Sequence, residues 1–303
     1  MITPVAIAFT PNYFVPAATT LKSLLDASSG DFLIICLVTE DIPQRMKDKL
    51  VALGGGRLSF EYIPLKGRLE GLYIDPRYTE AASFRLLLPE LLPELDTILY
   101  TDCDIIFRQD IGALYSSIHL EDNYLAVVFE APIEQQAERF SALGCDPCRY
   151  FNSGFLVMNL EQMRKEKVSE RLLEACRVPY LEFPDQDALN QVCQGRVLPL
   201  SPVYDSIRTF FLPKYKPDFV RQYSEALWCE VQNCGNIHYT GGKPWNMYTV
   251  RFADWWRTYD GLPSEIKEEW TPPAKMCRFW QFYRIPVIGR VIDGLRNLKQ
   301  SFS

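Results

Sequence analysis

The chain is poor in histidine and has no long uninterrupted apolar run. Its 303 residues include two histidines, His119 and His238, which excludes a metal centre built mainly from imidazoles. No stretch of roughly 18 residues is both apolar and free of charge, so no hydrophobic transmembrane helix is expected. No basic segment precedes the apolar run within residues 1–9, so no secretory signal peptide is expected either. Excess positive charge is also missing: the formal net charge is -6, which argues against a nucleic-acid binder. The nine cysteines are odd in number. Cys36, Cys103 and Cys176 fall inside apparent strands, motifs or helices, a pattern of reduced thiols in a cytoplasmic chain. Cys145 and Cys148 have the spacing of half a zinc site, but Cys229 and Cys234 are badly spaced to complete it.

What is present is a globular composition, 48% hydrophobic and 23% charged, enough for one large domain or one domain plus an appendage. Continuous apolar strands are expected at Pro4–Phe9, Phe32–Val38 and Leu58–Ile63, with helices at Pro16–Ala27 and Pro43–Leu53 between them. Pro near the start of the first helix and the Gly54-Gly55-Gly56 run at the end of the second mark their limits. Continuous rather than alternating apolar strands imply a parallel sheet covered on both faces, an α/β fold. Further on, Lys66–Tyr78 reads as a loop, Glu80–Leu92 as a helix, and Tyr124–Phe129 as a strand. Ile133–Leu143 reads as helical or mobile, and Glu161–Cys176 as a charged amphipathic helix.

Chemistry concentrates in a few stretches. In Leu99-Tyr100-Thr101-Asp102-Cys103-Asp104-Ile105 two carboxylates interrupt an apolar run. Unpaired charge inside a strand is costly, so the strand should end there with both carboxylates facing a cleft. Solvated turn residues and a site for Mg²⁺ or Mn²⁺ are both compatible with that local pattern. Arg85, between Phe84 and Leu86, either extends to the surface or leans over the same cleft. Tyr150-Phe151-Asn152-Ser153-Gly154 leads into an apolar strand, with an amide suited to sugar hydroxyls and a glycine that permits close approach. Asp185-Gln186-Asp187 opens a helix, with Asp185 in the N-cap position. His238 ends a short strand, Asn236–Tyr239, immediately before Thr240-Gly241-Gly242-Lys243, a loop suited to phosphate oxygens.

Taken in order, these stretches resemble glycosyltransferase family 8, the retaining UDP-hexose transferases that include bacterial lipopolysaccharide galactosyl- and glucosyltransferases. The resemblance runs from Ala8 to about Trp245 and rests on Asn12-Tyr13, Arg85, Tyr100–Asp104, Tyr150–Gly154, Asp185–Asp187 and His238–Trp245. It implies a GT-A fold, Rossmann-like with a mostly parallel central sheet and helices on both faces, and a C-terminal helical appendage. The catalytic domain would span residues 1–260 and the appendage 261–303. By the same resemblance Asp102, Asp104 and His238 would hold Mn²⁺, with Mg²⁺ as the substitute. Ala8, Thr10, Asn12 and Cys103 would line the uridine, and Gly241 and Lys243 the diphosphate. Arg85, Asn152, Ser153, Asp185 and Gln186 would surround the donor sugar, and Glu130 would stand near the acceptor. The sequence departs from many relatives at Thr10, where they carry an acid, and its loop at 241–243 is one residue shorter than in some.

The implied reaction moves glucose or galactose from a UDP-hexose to a glycan or glycolipid acceptor such as a lipopolysaccharide. Charge stabilisation of the leaving diphosphate removes the need for a strong general acid. Retention of configuration then requires same-face attack or a covalent intermediate on Gln186 or Asp187; the amide is a poor nucleophile, which favours same-face attack. The alternatives are a sugar-nucleotide nucleotidyltransferase and a non-catalytic UDP-sugar-binding protein. The first needs a basic glycine-rich loop after the first strand, where Thr10-Pro11-Asn12-Tyr13 stands. The segment 275–303 interleaves Lys275, Arg278, Arg284, Arg290, Arg296 and Lys299 with aromatic and aliphatic residues against one acid, Asp293. This mix suits either peripheral contact with an anionic membrane, placing the protein on the inner face of the cell membrane, or packing on its own domain.

Overall fold

The computed structural model describes residues 2–72, 79–178 and 181–301. The part of the expected loop from residue 73 to 78 lies outside the described residues. β1 (Ile2–Phe9), β2 (Asp31–Val38) and β3 (Leu58–Pro64) form, with helices Phe14–Ala27 and Gln44–Gly54 between them, the expected β-α-β-α-β opening. Strands β4 (Thr97–Thr101), β6 (Leu125–Val127), β7 (Phe155–Asn159) and β8 (Val197–Pro199) complete a seven-stranded sheet in the order β3-β2-β1-β4-β7-β6-β8. β1 to β4 are parallel, β7 runs antiparallel to β4 and β6, and β6 is parallel to β8. Two separate apolar cores sit on the two faces: Val5, Ile7, Ile34 and Leu99 belong to one, Ala6, Ile35, Ile98 and Tyr100 to the other. Alternate residues of each strand thus enter opposite cores, which is why these strands read as continuous apolar runs.

Three local departures have local causes. The segment 80–92 is not one α-helix but a 3₁₀ stretch, Glu80–Leu87, followed by a single turn, Leu88–Leu91. Pro89 has no N–H to give the Arg85 carbonyl, which instead accepts from Leu88 N–H, the tighter spacing. The segment 161–176 breaks into Leu160–Lys165 and Val168–Ala175 at Lys167, which adopts a left-handed φ of 51°; the break lets Met163 and Leu172 both reach the core. The helix Pro184–Cys193 begins two residues earlier than a cap at Asp185 would put it, with Phe183 in the N-cap position. Pro184 starts it with a fixed φ, and Asp187 Oδ2 accepts the Phe183 N–H at 3.1 Å.

As expected, the strand ends just before the carboxylates, at Thr101. β5 (Ile105–Ile106) leaves the sheet and pairs antiparallel with β9 (Ile237–His238), Ile105 opposite His238. The C-terminal segment joins the larger core through Leu262, Ile266, Met276, Trp280 and Tyr283. Trp280 stacks on Trp256 and donates its Nε1–H to Asp260. The last helix, Pro286–Ser301, exposes Val287, Val291 and Leu295, and no described helix is long and apolar enough to cross a membrane.

Candidate functional site

The carboxyl ends of β1 and β4 and the amino end of β7 meet at one edge of the sheet, because Thr101 pairs with Phe155 across the antiparallel β4–β7 ladder. This places Asp102–Asp104 beside Asn152–Gly154, and Asp102 N–H donates to Gly154 O at 2.8 Å. The β5–β9 pair then carries His238 to the same point. Ligand-type atoms of Asp102, Asp104 and His238 lie within 4.8 Å of one another. They face a cavity of about 740 Å³, a size usual for small-molecule sites.

Each of these side chains is held. Arg85, 2% exposed, lies over the Tyr100 ring and donates to Asp102 Oδ1 at 2.8 Å; its Nε is 3.3 Å from Asp185 Oδ2. The Tyr100 hydroxyl donates to the same Asp102 oxygen. Asp102 Oδ2 is left toward His238, 3.7 Å from Nε2. Arg85 therefore does not reach the surface; buried against two carboxylates and Tyr100, it keeps its charge. His238 Nδ1 lies 2.8 Å from buried Asp205, and Nε2 lies 3.4 Å from Asp104 Oδ1. Burial opposes protonation of His238, but Asp205 and Asp104 outweigh it and raise its pKa to about 10. Burial likewise acts to raise the Asp104 carboxyl, yet Lys243, paired with it, and His238 hold it below its ordinary value.

The set fits a hard divalent cation. Asp104 Oδ1 is buried without a hydrogen-bond partner, two carboxylates and an imidazole are the donor types that Mn²⁺ accepts, and a clearance beside them depends on Gly154. A Cβ at Gly154 would stand 2.1 Å from His238 Cε1 and 2.8 Å from Asp102 Oδ2.

Around this centre the cavity wall includes Ala8, Thr10, Cys103, Gly241 and Lys243, together with Arg85, Asn152, Ser153, Asp185, Gln186 and Glu130. Gly241 has a φ of 81°, a left-handed turn suited to glycine. Glu130 is buried, and burial together with Asp205 pushes its carboxyl up to about 7. Burial also raises Asp185, against the pull of Arg85.

Two expected site residues stand outside the wall. Asn12 is exposed on the turn Pro11–Tyr13, and Tyr13 lines the cavity in its place. Asp187 is fully buried beneath it, its carboxylate taken up by Arg139, Tyr150 and Phe183 N–H. Sequence reasoning gave no site role to wall residues Tyr13 and Phe183, which stand in recognised stretches, and passed over Arg139, Ile207, Arg208 and Thr209, and Asp205 behind His238. The segment 201–228 has no periodicity, so nothing local marked Asp205; Tyr150 stood inside a recognised stretch but without a role.

The comparisons agree with this architecture. The chain matches the family model "Glycosyl transferase family 8" over residues 4–249. It is 28% identical over 182 residues to General stress protein A of Bacillus subtilis (strain 168), covering 56% of this chain and 61% of that protein. It is 29% identical over 190 residues to a lipopolysaccharide 1,2-glucosyltransferase of Escherichia coli (strain K12), covering 60% of this chain and 54% of that protein. The matched region thus spans somewhat more than half the length of both relatives. Among solved structures, galactosyltransferase LgtC with donor and acceptor sugar analogues superimposes with a TM-score of 0.72 at 22% identity, over 88% of this chain and all of that one. The fold is GT-A, an α/β architecture. The chain belongs to glycosyl transferase family 8.

Proposed function

We propose that this protein is a metal-dependent retaining hexosyltransferase that uses a UDP-hexose donor, glucose or galactose, and a glycan or glycolipid acceptor of the lipopolysaccharide type. The observation that carries the reading is the convergence of Asp102, Asp104 and His238 beside Lys243 on a cavity otherwise walled by Asn152, Asp185 and Gln186. Asp102, Asp104 and His238 would hold Mn²⁺, or Mg²⁺, which when bound supplies charge stabilisation for a leaving diphosphate. Lys243 and Gly241 face the diphosphate, Lys243 exchanging its contact with Asp104 for phosphate oxygens. Ala8, Thr10 and Cys103 line the nucleoside. Arg85 fixes Asp102 and Asp185 at once, so the metal side and the sugar side keep one geometry. Asn152, Ser153, Asp185 and Gln186 surround the hexose, and Glu130 stands toward the acceptor.

Same-face attack is favoured by the state of the two candidate nucleophiles. Asp187 is sealed away from the cavity. The Gln186 carbonyl oxygen already accepts two hydrogen bonds, from Asn152 Nδ2 and Ser153 N–H, each 3.1 Å. The acceptor class is supported by the lipopolysaccharide 1,2-glucosyltransferase among the relatives. Exposed Phe282, Ile285, Val287, Ile288 and Val291 lie among exposed Arg278, Arg284 and Arg290, a combination suited to an anionic membrane on its cytoplasmic side. The proposed division is residues 1–260 for the catalytic unit and 261–303 for a tail whose first part, through Tyr283, packs into the core of that unit.

The test is incubation with UDP-glucose, UDP-galactose and other UDP-hexoses with Mn²⁺, with and without a lipopolysaccharide-core acceptor, scored as UDP release. Release dependent on the metal, from at least one donor, is expected. No release from any UDP-hexose would falsify the reading.

A further inference from the structure

A chain of polar contacts that the reaction outlined above does not use runs from the cavity wall at Arg139 into the interior. Arg139, on helix Glu134–Ala142, contacts both Asp187 oxygens at 2.6 and 2.5 Å. Its Nε also pairs with Glu182 at 2.8 Å. Asp187 Oδ1 accepts the Tyr150 hydroxyl at 2.5 Å. The Tyr150 oxygen in turn accepts from Gln186 Nε2 at 3.2 Å. The Tyr150 ring is clamped face to face on Phe140, centroids 3.6 Å apart, so its hydroxyl has one place to be.

The direction of the Gln186 amide is set by a group that cannot turn over. Ser153 N–H is a backbone donor, so the Gln186 atom facing it must be the carbonyl oxygen. Asn152 agrees: its Oδ1 accepts from Gly154 N–H at 2.9 Å, which leaves Nδ2 to donate to that same Gln186 oxygen. The Gln186 NH₂ therefore points the other way, one hydrogen toward Tyr150 and the other toward Glu130 Oε1 at 3.4 Å. With the oxygen doubly accepted and both N–H groups directed, the amide has one orientation for as long as Tyr150 offers a lone pair. Tyr150 can offer it because its own proton is committed to Asp187.

We infer that Tyr150 is a positioning residue, held by the Arg139–Asp187 pair, that fixes the Gln186 amide between the donor-sugar pocket and Glu130. Asp187 accordingly serves as the anchor of this chain. The inference rests on the assignment of Gln186 to the donor-sugar pocket. It adds that the amide's orientation is imposed through Tyr150 and Asp187, two residues that do not line the cavity.

The experiment is a double-mutant cycle on Mn²⁺-dependent hydrolysis of the active UDP-hexose, UDP-glucose or UDP-galactose, which needs no acceptor. Tyr150→Phe removes the hydroxyl and leaves the ring on Phe140. It is expected to lower kcat about fivefold, the scale of one hydrogen bond, with KM for the donor within about twofold. In a Gln186→Ala background the same change should have no further effect, because its target is gone. Equal losses in both backgrounds would show that Tyr150 acts on the fold and would overturn the inference. Wild-type turnover in Gln186→Ala would instead remove the donor-site assignment of Gln186, a separate failure. Arg139→Gln, at a partly exposed position, covers the case in which Tyr150→Phe does not fold. It should give a smaller kcat loss that likewise vanishes with Gln186→Ala; persistence of that loss would also overturn the inference.

Discussion

Asp205 Oδ1 lies 2.8 Å from His238 Nδ1, and neither residue has appreciable exposure. The carboxylate fixes the imidazole plane and keeps the Nδ1 proton, so Nε2 is the nitrogen turned toward Asp102 and Asp104. A histidine anchored in this way is a stronger and better aimed ligand. Asp205→Ala should weaken Mn²⁺ binding roughly 10- to 100-fold, and Asp205→Asn, which keeps an acceptor, should weaken it less. Calorimetric titration with Mn²⁺ alone checks this without reference to turnover. Unchanged affinity in both variants would mean that the contact is structural only.

Gly154 gives a second handle on the same centre. A methyl group there collides with His238 and Asp102 together. Gly154→Ala should therefore abolish measurable Mn²⁺ binding and lower the melting temperature. A variant that binds the ion with wild-type affinity would sink the idea that this clearance is needed.

Glu130 makes stability depend on pH. Its folded carboxyl titrates at about 7 because of burial first and Asp205 second, against an ordinary 4.5. Between these values the folded state holds a proton that the unfolded chain has released. Stability therefore falls as pH rises through that window, and the penalty is complete above pH 7. Its size is of the order of 3 kcal/mol. Glu130→Gln should flatten this part of the profile. Urea unfolding at pH 5 and pH 8 measures the difference, and parallel profiles for wild type and variant would contradict it.

The C-terminal segment should behave as two parts. Truncation after Ile285 leaves Met276, Trp280 and Tyr283 in the core and should give a folded chain. Truncation after Asp260 strips the cover from Phe252 and Trp256 and should not. The shorter truncation should also lose salt-sensitive flotation with vesicles containing anionic lipid. Retained flotation would place the membrane contact elsewhere.

The sheet edge and about half of the cavity wall were legible in the sequence because each piece is local. Strands buried on both faces announce themselves as apolar runs, and Asp102-Cys103-Asp104 stands out by interrupting one. What stayed hidden depends on distant partners. Asp205 is an ordinary acid until the fold brings His238 to it, and Asp187 reads as a free carboxylate until Arg139 and Tyr150 close over it. The 3₁₀ form of 80–87 follows from Pro89, but only if the missing N–H is weighed against the helical pattern. The break at Lys167 has no such marker, since lysine seldom adopts a left-handed φ.

The pairing of Ile105 with His238 couples two events in the life of the chain. The first two proposed ligands, Asp102 and Asp104, leave the ribosome long before the third, His238, and the two-residue ladder of β5 and β9 is what brings them together. An ion captured by all three side chains thus rewards only a polypeptide whose distant halves have docked, and withholds its free energy from partly folded ones. Cation supply would in this way act as a proofreader of assembly, raising the unfolding temperature of the finished enzyme while leaving early intermediates unaided.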